Sequence, residues 1–316
     1  MTLQDIDGKR IGLIFPGQGS QTVGMGKDLY ERSEEARAVF DAADATLGFS
    51  LSTLCFEGPA ETLEGTHNAQ PALLTMSIAA LSDLRARASE AGVTLSPIVT
   101  AGHSLGEFTA LVAANAIDFT DALILVRERG RLMKEAGDER PGGMAAVIGM
   151  DDAALEQVVQ DAGSLGIIRI ANANCPGQTV ISGEIAALER AAELAQERGA
   201  RKVARLGVSI ASHSPLMEGA SRQLGELLAS VTFRDPEIPV VGNVSAAPIT
   251  TVDGIREELR HHMERPVNWT GSVTTMVGMG VEALVELGPG NVLAGLNRRI
   301  DRSVPTLGIK DLQEPR

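Results

Sequence analysis

The segment Gly102–Gly106 reads GHSLG and fits the G-x-S-x-G pattern of a nucleophilic serine. It lies between an aliphatic run and a helix-forming run, so Ser104 is expected on a sharp strand-to-helix turn. The flanking glycines suit such a turn, because a Cβ there would collide with the neighbouring strand or helix. The hydroxyl would project at the carboxyl end of the sheet, near the positive end of the next helix. The sequence therefore predicts Ser104 as a covalent nucleophile.

A general base is needed as well, because a serine hydroxyl attacks only when its proton is removed. The chain has five histidines, His67, His103, His213, His261 and His262. His213 is the preferred base, since it lies in a break between a strand-like run and a helix; a surface or capping histidine is the competing interpretation. His103 should point away from its neighbour on a sharp turn and is expected to be structural. No acid stands out to orient the imidazole, which leaves a backbone carbonyl as the alternative.

Two further features could complete such a site. Phe15–Gln21 (FPGQGSQ) follows the first expected strand, and its glycines would let a backbone N–H approach a developing oxyanion; a flexible turn is the alternative. It is no dinucleotide-binding fingerprint, because the third glycine is missing. Arg127, Arg129 and Arg131 fan over different faces of one helix. An inward arginine would hold an acidic substrate group, whereas solvated surface arginines are the alternative.

The elements that must position these residues alternate between short aliphatic runs and longer segments of helical period. This alternation is typical of an α/β chain with a mostly parallel sheet. Pro71 is expected to open one helix and Gly137 to close another, since proline favours the first helical position and glycine the left-handed terminus. The expected elements are strands at 11–15, 98–101, 240–244 and 281–287 and helices at 71–87, 105–115, 120–136 and 253–263.

The middle of the chain follows a different pattern. Its expected elements are, in order, strand 144–148, helix 152–162, strands 167–171 and 179–182, helix 185–198 and strand 202–206. The order βαββαβ is that of a ferredoxin-like unit, and the charged, Pro- and Gly-bearing stretch 138–143 precedes it. The sequence thus predicts a large domain formed by residues 1–139 and 208–316, with an inserted subdomain at 140–207.

Composition and charge exclude several classes of function. Lys and Arg number 28 against 41 Asp and Glu, and the formal net charge of −13 opposes binding to nucleic acid or anionic membranes. The polar N-terminal stretch and the lack of a long apolar run predict a soluble, cytoplasmic protein. Cys55 and Cys175 are too few for a disulfide framework or a cysteine metal cluster, and H-E-x-x-H and P-loop motifs are missing. Neither metal nor nucleotide chemistry is expected.

Together these segments resemble a known family, the malonyl-CoA:acyl carrier protein transacylases of type II fatty acid synthesis, close kin of polyketide synthase acyltransferase domains. The resemblance extends over nearly the whole chain, in the family's order and near its spacing. It is carried by Phe15–Gln21, Asn68–Leu74 (NAQPALL), Gly102–Glu107 (GHSLGE), Arg129–Gly130, Asn172–Gly177 (NANCPG), Ser212–His213, Pro266–Thr270 (PVNWT) and Glu286–Gly290 (ELGPG). It implies an α/β-hydrolase-like large domain with a mostly parallel sheet and an inserted ferredoxin-like α+β subdomain.

The resemblance also implies a reaction and its catalytic groups. Ser104 would accept the malonyl group of malonyl-CoA, and His213 would act as its general base. The backbone N–H groups of Gln18 and Leu105 would form the oxyanion hole. The acyl group would then pass, in a ping-pong cycle, to the phosphopantetheine thiol of acyl carrier protein, and the enzyme would need no cofactor of its own.

Three positions match the family's substrate pocket. Arg129 would bind the malonyl carboxylate, which selects it from the three arginines, and Gln70 would support that pocket. A main-chain carbonyl around His262 would orient the imidazole in place of an acid. The segment Ile210–His213 (IASH) partly resembles the tetrapeptide of methylmalonyl-specific acyltransferases, with Ile in place of Tyr. Leu105 favours malonyl, because a Gln after the nucleophile accompanies the branched substrate.

Other functions remain open on the same residues. A polyketide-type acyltransferase that uses malonyl- or methylmalonyl-CoA, a serine thioesterase or hydrolase, and a catalytically silent docking module for carrier protein are the alternatives. The protein is expected to be a monomer. Because carrier proteins of this type are acidic, a local basic patch is expected to meet one, although ordinary solvated surface charge is the favoured interpretation of each candidate taken singly. Its candidates are Lys202, Arg205, Arg298 and Arg299.

Overall fold

The structure is a computed structural model that describes residues 2–312, and its strands form two sheets. The ten strands within this range are β1 (Arg10–Phe15), β2 (Ser96–Gly102), β3 (Gly142–Ile148), β4 (Ile168–Cys175), β5 (Gln178–Glu184), β6 (Lys202–Arg205), β7 (Val240–Val241), β8 (Pro248–Ile249), β9 (Ala283–Glu286) and β10 (Thr306–Gly308).

Helices make up most of the remaining regular structure. The thirteen α-helices of the described range are α1 (Lys27–Arg32), α2 (Glu34–Leu47), α3 (Leu51–Glu57), α4 (Ala60–Glu64), α5 (Thr66–Glu90), α6 (Gly106–Ala113), α7 (Phe119–Glu139), α8 (Asp152–Ala162), α9 (Ile185–Glu197), α10 (Glu218–Ser230), α11 (Val252–His261), α12 (Trp269–Gly278) and α13 (Val292–Ile300). Short 3-10 helices occur at Leu3–Ile6, Gly163–Leu165, Pro215–Met217 and Ile309–Leu312. None of these helices combines the length and apolar character needed to cross a bilayer.

The larger sheet has the strand order β10-β9-β1-β2-β7-β8, and all its neighbouring strands are parallel except the edge pair β7 and β8. β1 is apolar almost throughout, because alternate residues enter cores on opposite faces of the sheet. Leu13 and Phe15 pack into the core that contains α5 and α6, whereas Ile14 joins the core beneath α12 and α13. The predicted α/β fold with a mostly parallel sheet is confirmed.

The carboxyl ends of three neighbouring strands meet at one edge of this sheet. The register pairs Phe15 at the end of β1 with Gly102 at the end of β2. β7 lies on the other side of β2, where Val241 pairs with Ala101. The loops after β1, β2 and β7 therefore emerge next to one another, and this edge is where parallel sheets bind ligands.

The smaller sheet is antiparallel, with the order β4-β5-β3-β6. Together with α8 and α9 its strands follow the predicted βαββαβ order, and side chains from both helices share a separate apolar core with the sheet. The sheet spans residues 142–205. It touches the larger unit through β4, where the backbone of Val267 bonds to Ala171 and Ala173. The domain boundaries at 139/140 and 207/208 stay a prediction.

Two predicted helix ends are wrong. α5 begins at Thr66, so Pro71 lies inside it and cannot donate a hydrogen bond to the carbonyl of His67. Packing favours the earlier start: a Cβ on Gly130 of α7 would lie 2.5 Å from the carbonyl oxygen of Thr66. α7 in turn continues past Gly137 to Glu139. Gly137 does not have a left-handed φ and allows close contact, because a Cβ there would lie 2.9 Å from Ile210.

Candidate active site

Ser104 lies on the turn between β2 and α6 with φ of 49°, a left-handed conformation that is rare for residues other than glycine. Its neighbours leave no space for side chains. A Cβ on Gly102 would lie 1.9 Å from the carbonyl carbon of Gly106, and a Cβ on Gly106 would lie 2.2 Å from the carbonyl oxygen of Phe15. Both glycines are therefore required by the strained turn that exposes the serine.

The imidazole of His213 lies beside this serine. Its Nε2 is 2.9 Å from Ser104 Oγ, and its Nδ1 is 3.1 Å from the carbonyl oxygen of Arg265. A carbonyl can only accept a hydrogen bond, so Nδ1 carries the proton and Nε2 presents its lone pair to the serine hydroxyl. The backbone N–H of His213 donates to the carbonyl of Met263 at 2.8 Å, which fixes the residue at the start of its loop.

The expectation that a carbonyl around His262 orients the imidazole needs correction. The orienting carbonyl belongs to Arg265, because the chain turns after α11 and brings that peptide group to Nδ1 of His213. The His262 ring lies between two other groups. Its Nδ1 accepts from Arg129 Nη2 at 3.4 Å, and its Nε2 lies 3.4 Å from Glu107 Oε2.

The environment of His213 holds the imidazole neutral. Burial lowers its pKa well below the ordinary value, and the neighbouring His262 and Arg129 act in the same direction. Burial likewise lowers the pKa of His262. A neutral imidazole with a free Nε2 lone pair can take the serine proton at neutral pH.

Arg129 is the arginine that points inward, and it is 1% exposed. Nη1 donates to Gln70 Oε1 at 2.8 Å and Nη2 donates to Ser104 Oγ at 3.1 Å, whereas Nε has no partner among the described residues. Burial lowers the pKa of Arg129 to about 10, which leaves it charged at neutral pH. Within residues 2–312 no carboxylate forms an ion pair with it. A buried cation without a carboxylate partner is suited to an anionic ligand.

The other two arginines of α7 do not reach the serine. Arg131 pairs with Glu128 and Glu135 on the helix surface. Arg127 stacks on the ring of Phe49, with its guanidinium carbon 4.4 Å from the ring centroid. The helix therefore directs only one of the three candidates into the site.

The loop after β1 packs against the serine turn. A Cβ on Gly17 would lie 2.5 Å from the carbonyl oxygen of His103, so this glycine permits the contact. In the described part of the chain, the backbone N–H groups of Gln18 and Leu105 donate to no other protein group. Both remain available to a ligand. The Gln18 side chain is held by a hydrogen bond of 3.2 Å from Nε2 to Thr66 Oγ1.

The remaining histidines lie outside the serine's hydrogen bonds. His103 Nε2 is 2.8 Å from Asn174 Oδ1, and its ring packs 5.7 Å from that of Trp269. His261 pairs with Glu264 at 2.5 Å, and His67 is partly exposed. In the range 2–312, no three His, Cys, Asp or Glu side chains are grouped to hold a metal ion.

A family model described as acyl transferase domain matches residues 13–306. The chain belongs to this family. It is accordingly an acyltransferase, and the match includes the serine turn, the His213 loop and the smaller sheet.

Known relatives of this acyltransferase resemble it along nearly its whole length. It is 46% identical over 303 residues to the malonyl CoA-acyl carrier protein transacylase of Bacillus subtilis, covering 96% of this chain and 94% of the relative. A malonyl-CoA:acyl carrier protein transacylase from Xanthomonas oryzae superposes with a TM-score of 0.90 at 41% identity, covering 98% of this chain and 95% of that one. A malonyl-transacylase solved with a type II polyketide synthase acyl-carrier protein gives 0.90 at 38%, covering 96% of each chain.

The acyltransferase has a cavity of about 460 Å³ beside the serine. It lies between the two sheets, because the smaller sheet contributes Met144 and Asn172 while the larger unit contributes Ser104, Arg129 and His213. Ile210 also lines it. Ser104 lines this cavity, so its hydroxyl is accessible from the cavity.

Sequence reasoning missed three residues that surround the serine turn of the acyltransferase. Asn243 and Glu107 are each 1% exposed, and Glu258 is 7% exposed. Asn243 Oδ1 accepts from the Ser104 backbone N–H, and Glu107 Oε2 accepts from the Asn243 backbone N–H. The sequence offered no clear signal for Asn243, because the expected strand 240–244 included it. In the structure β7 ends at Val241, and Asn243 lies just beyond that end, at the ligand edge of the sheet.

Proposed function

We propose that this acyltransferase transfers the malonyl group of malonyl-CoA to the phosphopantetheine thiol of acyl carrier protein, through an ester on Ser104, and so supplies fatty acid synthesis. One observation carries the proposal: a single hydroxyl contacts both the neutral imidazole of His213 and the buried guanidinium of Arg129. The first contact supports a nucleophile, and the second supports an acyl group that ends in a carboxylate. The names of the similar proteins agree with this chemistry.

In the first half-reaction Ser104 Oγ attacks the thioester carbon while its proton moves to His213 Nε2. The C–O bond forms, and the oxyanion accepts hydrogen bonds from the backbone N–H groups of Gln18 and Leu105. His213 then returns the proton to the thioester sulfur as the C–S bond breaks, and CoA leaves as a thiol. The carbonyl of Arg265 stabilises the imidazolium that exists between these proton transfers.

The second half-reaction reverses these roles. The phosphopantetheine thiol gives its proton to His213, and its sulfur forms a bond to the acyl carbon. When the ester C–O bond breaks, the proton passes from the imidazole to Ser104 Oγ and restores the enzyme. All proton transfers use the protein's own groups, so we propose that no resident cofactor takes part.

Arg129 would select malonyl over acetyl. The malonyl carboxylate would accept charge-assisted hydrogen bonds from a guanidinium that Gln70 orients and that forms no ion pair with a carboxylate of residues 2–312. An acetyl group would leave this desolvated cation without a counter-charge, which is costly. Leu105 occupies the position after the nucleophile where, in the family that the chain resembles, a Gln accompanies the branched substrate, so we propose malonyl over methylmalonyl. Ile210 lines the cavity and is the residue that bears on this choice.

The partners follow from the same proposal. Carrier protein would approach the cavity mouth, and the exposed basic residues Lys202 and Arg205 on β6 and Arg298 and Arg299 on α13 are the proposed contacts. We propose a monomer in the cytoplasm, without nucleic-acid or membrane partners. A hydrolase on the same scaffold is the rival, and it differs in passing the acyl group to water.

Mass-resolved loading tests the proposal. Malonyl-CoA should add one malonyl group to the wild-type chain and none to Ser104→Ala, with methylmalonyl- and acetyl-CoA loading far more slowly. Adding carrier protein that bears phosphopantetheine should discharge the malonyl-enzyme and form malonyl-carrier. Decay to free malonate at the same rate with and without carrier protein would instead establish the hydrolase, and loading of Ser104→Ala would exclude Ser104 as the nucleophile.

A further inference from the structure

The side-chain amide of Asn243 spans the nucleophile turn. Its Oδ1 accepts a hydrogen bond from the Ser104 backbone N–H at 2.6 Å, and its Nδ2 donates to the carbonyl oxygen of Gly102 at 2.6 Å. Asn243 follows β7, far along the chain from the turn, and is 1% exposed. One amide thus bonds to the peptide groups on both sides of His103. Both bonds are short and shielded from water, where hydrogen bonds are strongest.

Two buried glutamate side chains hold Asn243 itself in place. Its backbone N–H donates to Glu107 Oε2 at 3.0 Å. The next two backbone N–H groups, of Val244 and Ser245, donate to the carboxylate of Glu258 at 2.5 and 3.3 Å. Glu107 lies on α6, the helix that begins directly after the nucleophile. The loop that carries Asn243 is therefore fixed to the helix that follows the Ser104 turn, and the amide has little freedom to move.

The geometry of the turn needs such support. Ser104 has a left-handed φ, a conformation that persists only where the surroundings enforce it. This torsion sets the direction of Oγ toward His213 and also the direction of the following N–H, that of Leu105. A relaxed turn would misplace the nucleophile and one oxyanion donor together.

We propose that Asn243 is a positioning residue, which holds the Ser104 peptide in its strained conformation so that Oγ and the Leu105 N–H point into the cavity. It acts through the backbone and touches no substrate. The inference rests on the proposed role of Ser104 as nucleophile but not on the identity of the acyl group.

Two variants and one matched control test this. Asn243→Ala removes both bonds. Asn243→Asp keeps the size and the acceptor for the Ser104 N–H but sets an oxygen against the Gly102 carbonyl. Ser272→Ala is the control, because Ser272 is fully buried and donates to the carbonyl of Gly242 on the same loop, without contacting the turn. Thermal melting of all three shows how much each change destabilises the fold.

Two reagents are used on each protein. Malonyl-CoA reports acylation in a single turnover. A small fluorophosphonate reports serine reactivity by itself: the Oγ–P bond forms, fluoride leaves, and the proton passes to His213. We expect both rate constants to fall about 100-fold in the two Asn243 variants, as for a nucleophile misplaced by about 1 Å. The KM of the Asn243 variants for malonyl-CoA should stay within about threefold of the wild-type value. Both rate constants of the control Ser272→Ala should also stay within about threefold of wild type.

Three results would overturn the proposal. In the first, the Asn243 variants keep both rate constants within about threefold of wild type. In the second, their rate constants fall no further than those of Ser272→Ala when the melting temperatures fall equally. In the third, only the malonyl rate constant falls. The last result would make Asn243 a substrate contact. Failure of the proposed function has a different signature, in which the fluorophosphonate labels Ser104 of the wild type and malonyl-CoA does not. If neither reagent labels Ser104, the proposed function and this inference both fail.

Discussion

Gln70 Oε1 accepts a hydrogen bond of 2.8 Å from Nη1 of Arg129, and both side chains are buried. The amide is neutral, so it orients the guanidinium without cancelling its charge. The same helix, α5, that extends beyond its predicted start carries Gln70 in its first turns. The packing of α5 against α7 therefore decides where the buried charge points.

For this pair we expect that a negative charge added at position 70 lowers malonyl loading more than loss of the hydrogen bond to Arg129 does. Gln70→Leu should lower malonyl loading about tenfold, because the guanidinium loses its orienting acceptor. Gln70→Glu should lower it further, since the new carboxylate would pair with Arg129 and repel the malonyl carboxylate. Single-turnover loading with malonyl-CoA ranks the two variants. If Gln70→Glu were loaded with malonyl as fast as Gln70→Leu or faster, the malonyl group would not reach Arg129.

Replacing Arg129 by Ala should reduce malonyl loading by about 100-fold or more while acetyl loading changes little or rises, because only malonyl offers a carboxylate to the cation. Arg129→Lys should be intermediate, since it keeps the charge but cannot bond to Gln70 and ligand in one planar fork. The ratio of malonyl to acetyl loading is the measurement. An unchanged ratio in Arg129→Ala would remove Arg129 from substrate selection, and the surface variant Arg131→Ala serves as the control.

The pH dependence of serine reactivity should reflect the buried imidazole. Because burial, His262 and Arg129 hold the pKa of His213 well below its ordinary 6.5, acidification through 6.5 should leave Nε2 free to accept a proton. The rate of fluorophosphonate labelling should therefore fall only at distinctly lower pH. In Arg129→Gln, which removes one nearby positive charge, the midpoint should move upward. A wild-type midpoint at or above 6.5 would contradict the neutral, desolvated base.

The sequence predicts a residue of this site when the interactions that position it are local, and it fails when those interactions join distant parts of the chain. The serine turn follows from local rules, because Gly102 and Gly106 are fixed by contacts within a few residues. His213 could be selected only by its place in a break between elements. The carbonyl that orients its imidazole belongs to Arg265 and was misplaced, since no pattern shows how the chain turns after α11. Asn243 was missed because its bonds to the turn depend on β7 lying beside β2.

The same limit applies to the fold. Alternating runs predicted the central strands, and the βαββαβ order predicted the smaller sheet. Helices α1 to α4 were not predicted. α1, α3 and α4 have 6, 7 and 5 residues, which is too short for a helical period to be seen in the sequence. α2 has 14 residues and an amphipathic pattern, so the prediction overlooked it. The start of α5 was wrong for a related reason: a proline signal was overridden by the contact of Thr66 with Gly130.

A steric prediction follows for the turn. Gly102→Ala should destabilise the protein by more than about 3 kcal/mol or prevent folding, because its Cβ would overlap the carbonyl carbon of Gly106. Gly219→Ala is a matched control, since a Cβ on that glycine of α10 meets nothing within 4 Å. Chemical denaturation measures both. A Gly102→Ala variant as stable as wild type would show that Gly102 does not lie as close to the Gly106 backbone as the structure places it.

Glu107 makes stability depend on pH in an identifiable way. Burial raises its pKa to about 8, and the hydrogen bond from the Asn243 N–H and the positive charge of Arg129 only partly oppose this. Between its unfolded pKa of about 4.5 and a folded value of about 8, the native protein binds more protons at this site than the unfolded chain does. Its contribution to stability is thus fully present below the unfolded pKa and is lost as pH rises toward 8. Glu107→Gln removes this loss, because the amide resembles the protonated acid and has no charge to bury.

We therefore expect the melting temperature of Glu107→Gln, relative to wild type, to increase steadily from about pH 5 to pH 8 and to level off above it. Glu258 also has a raised pKa, caused first by burial and next by the negative charge of Glu107, so the variant lowers the pKa of Glu258 as well and changes the difference in the same direction. Melting in matched buffers at constant ionic strength measures the difference. A difference that does not change with pH would mean that Glu107 is ionised in the folded protein throughout, with the Asn243 N–H and Arg129 fully compensating its burial.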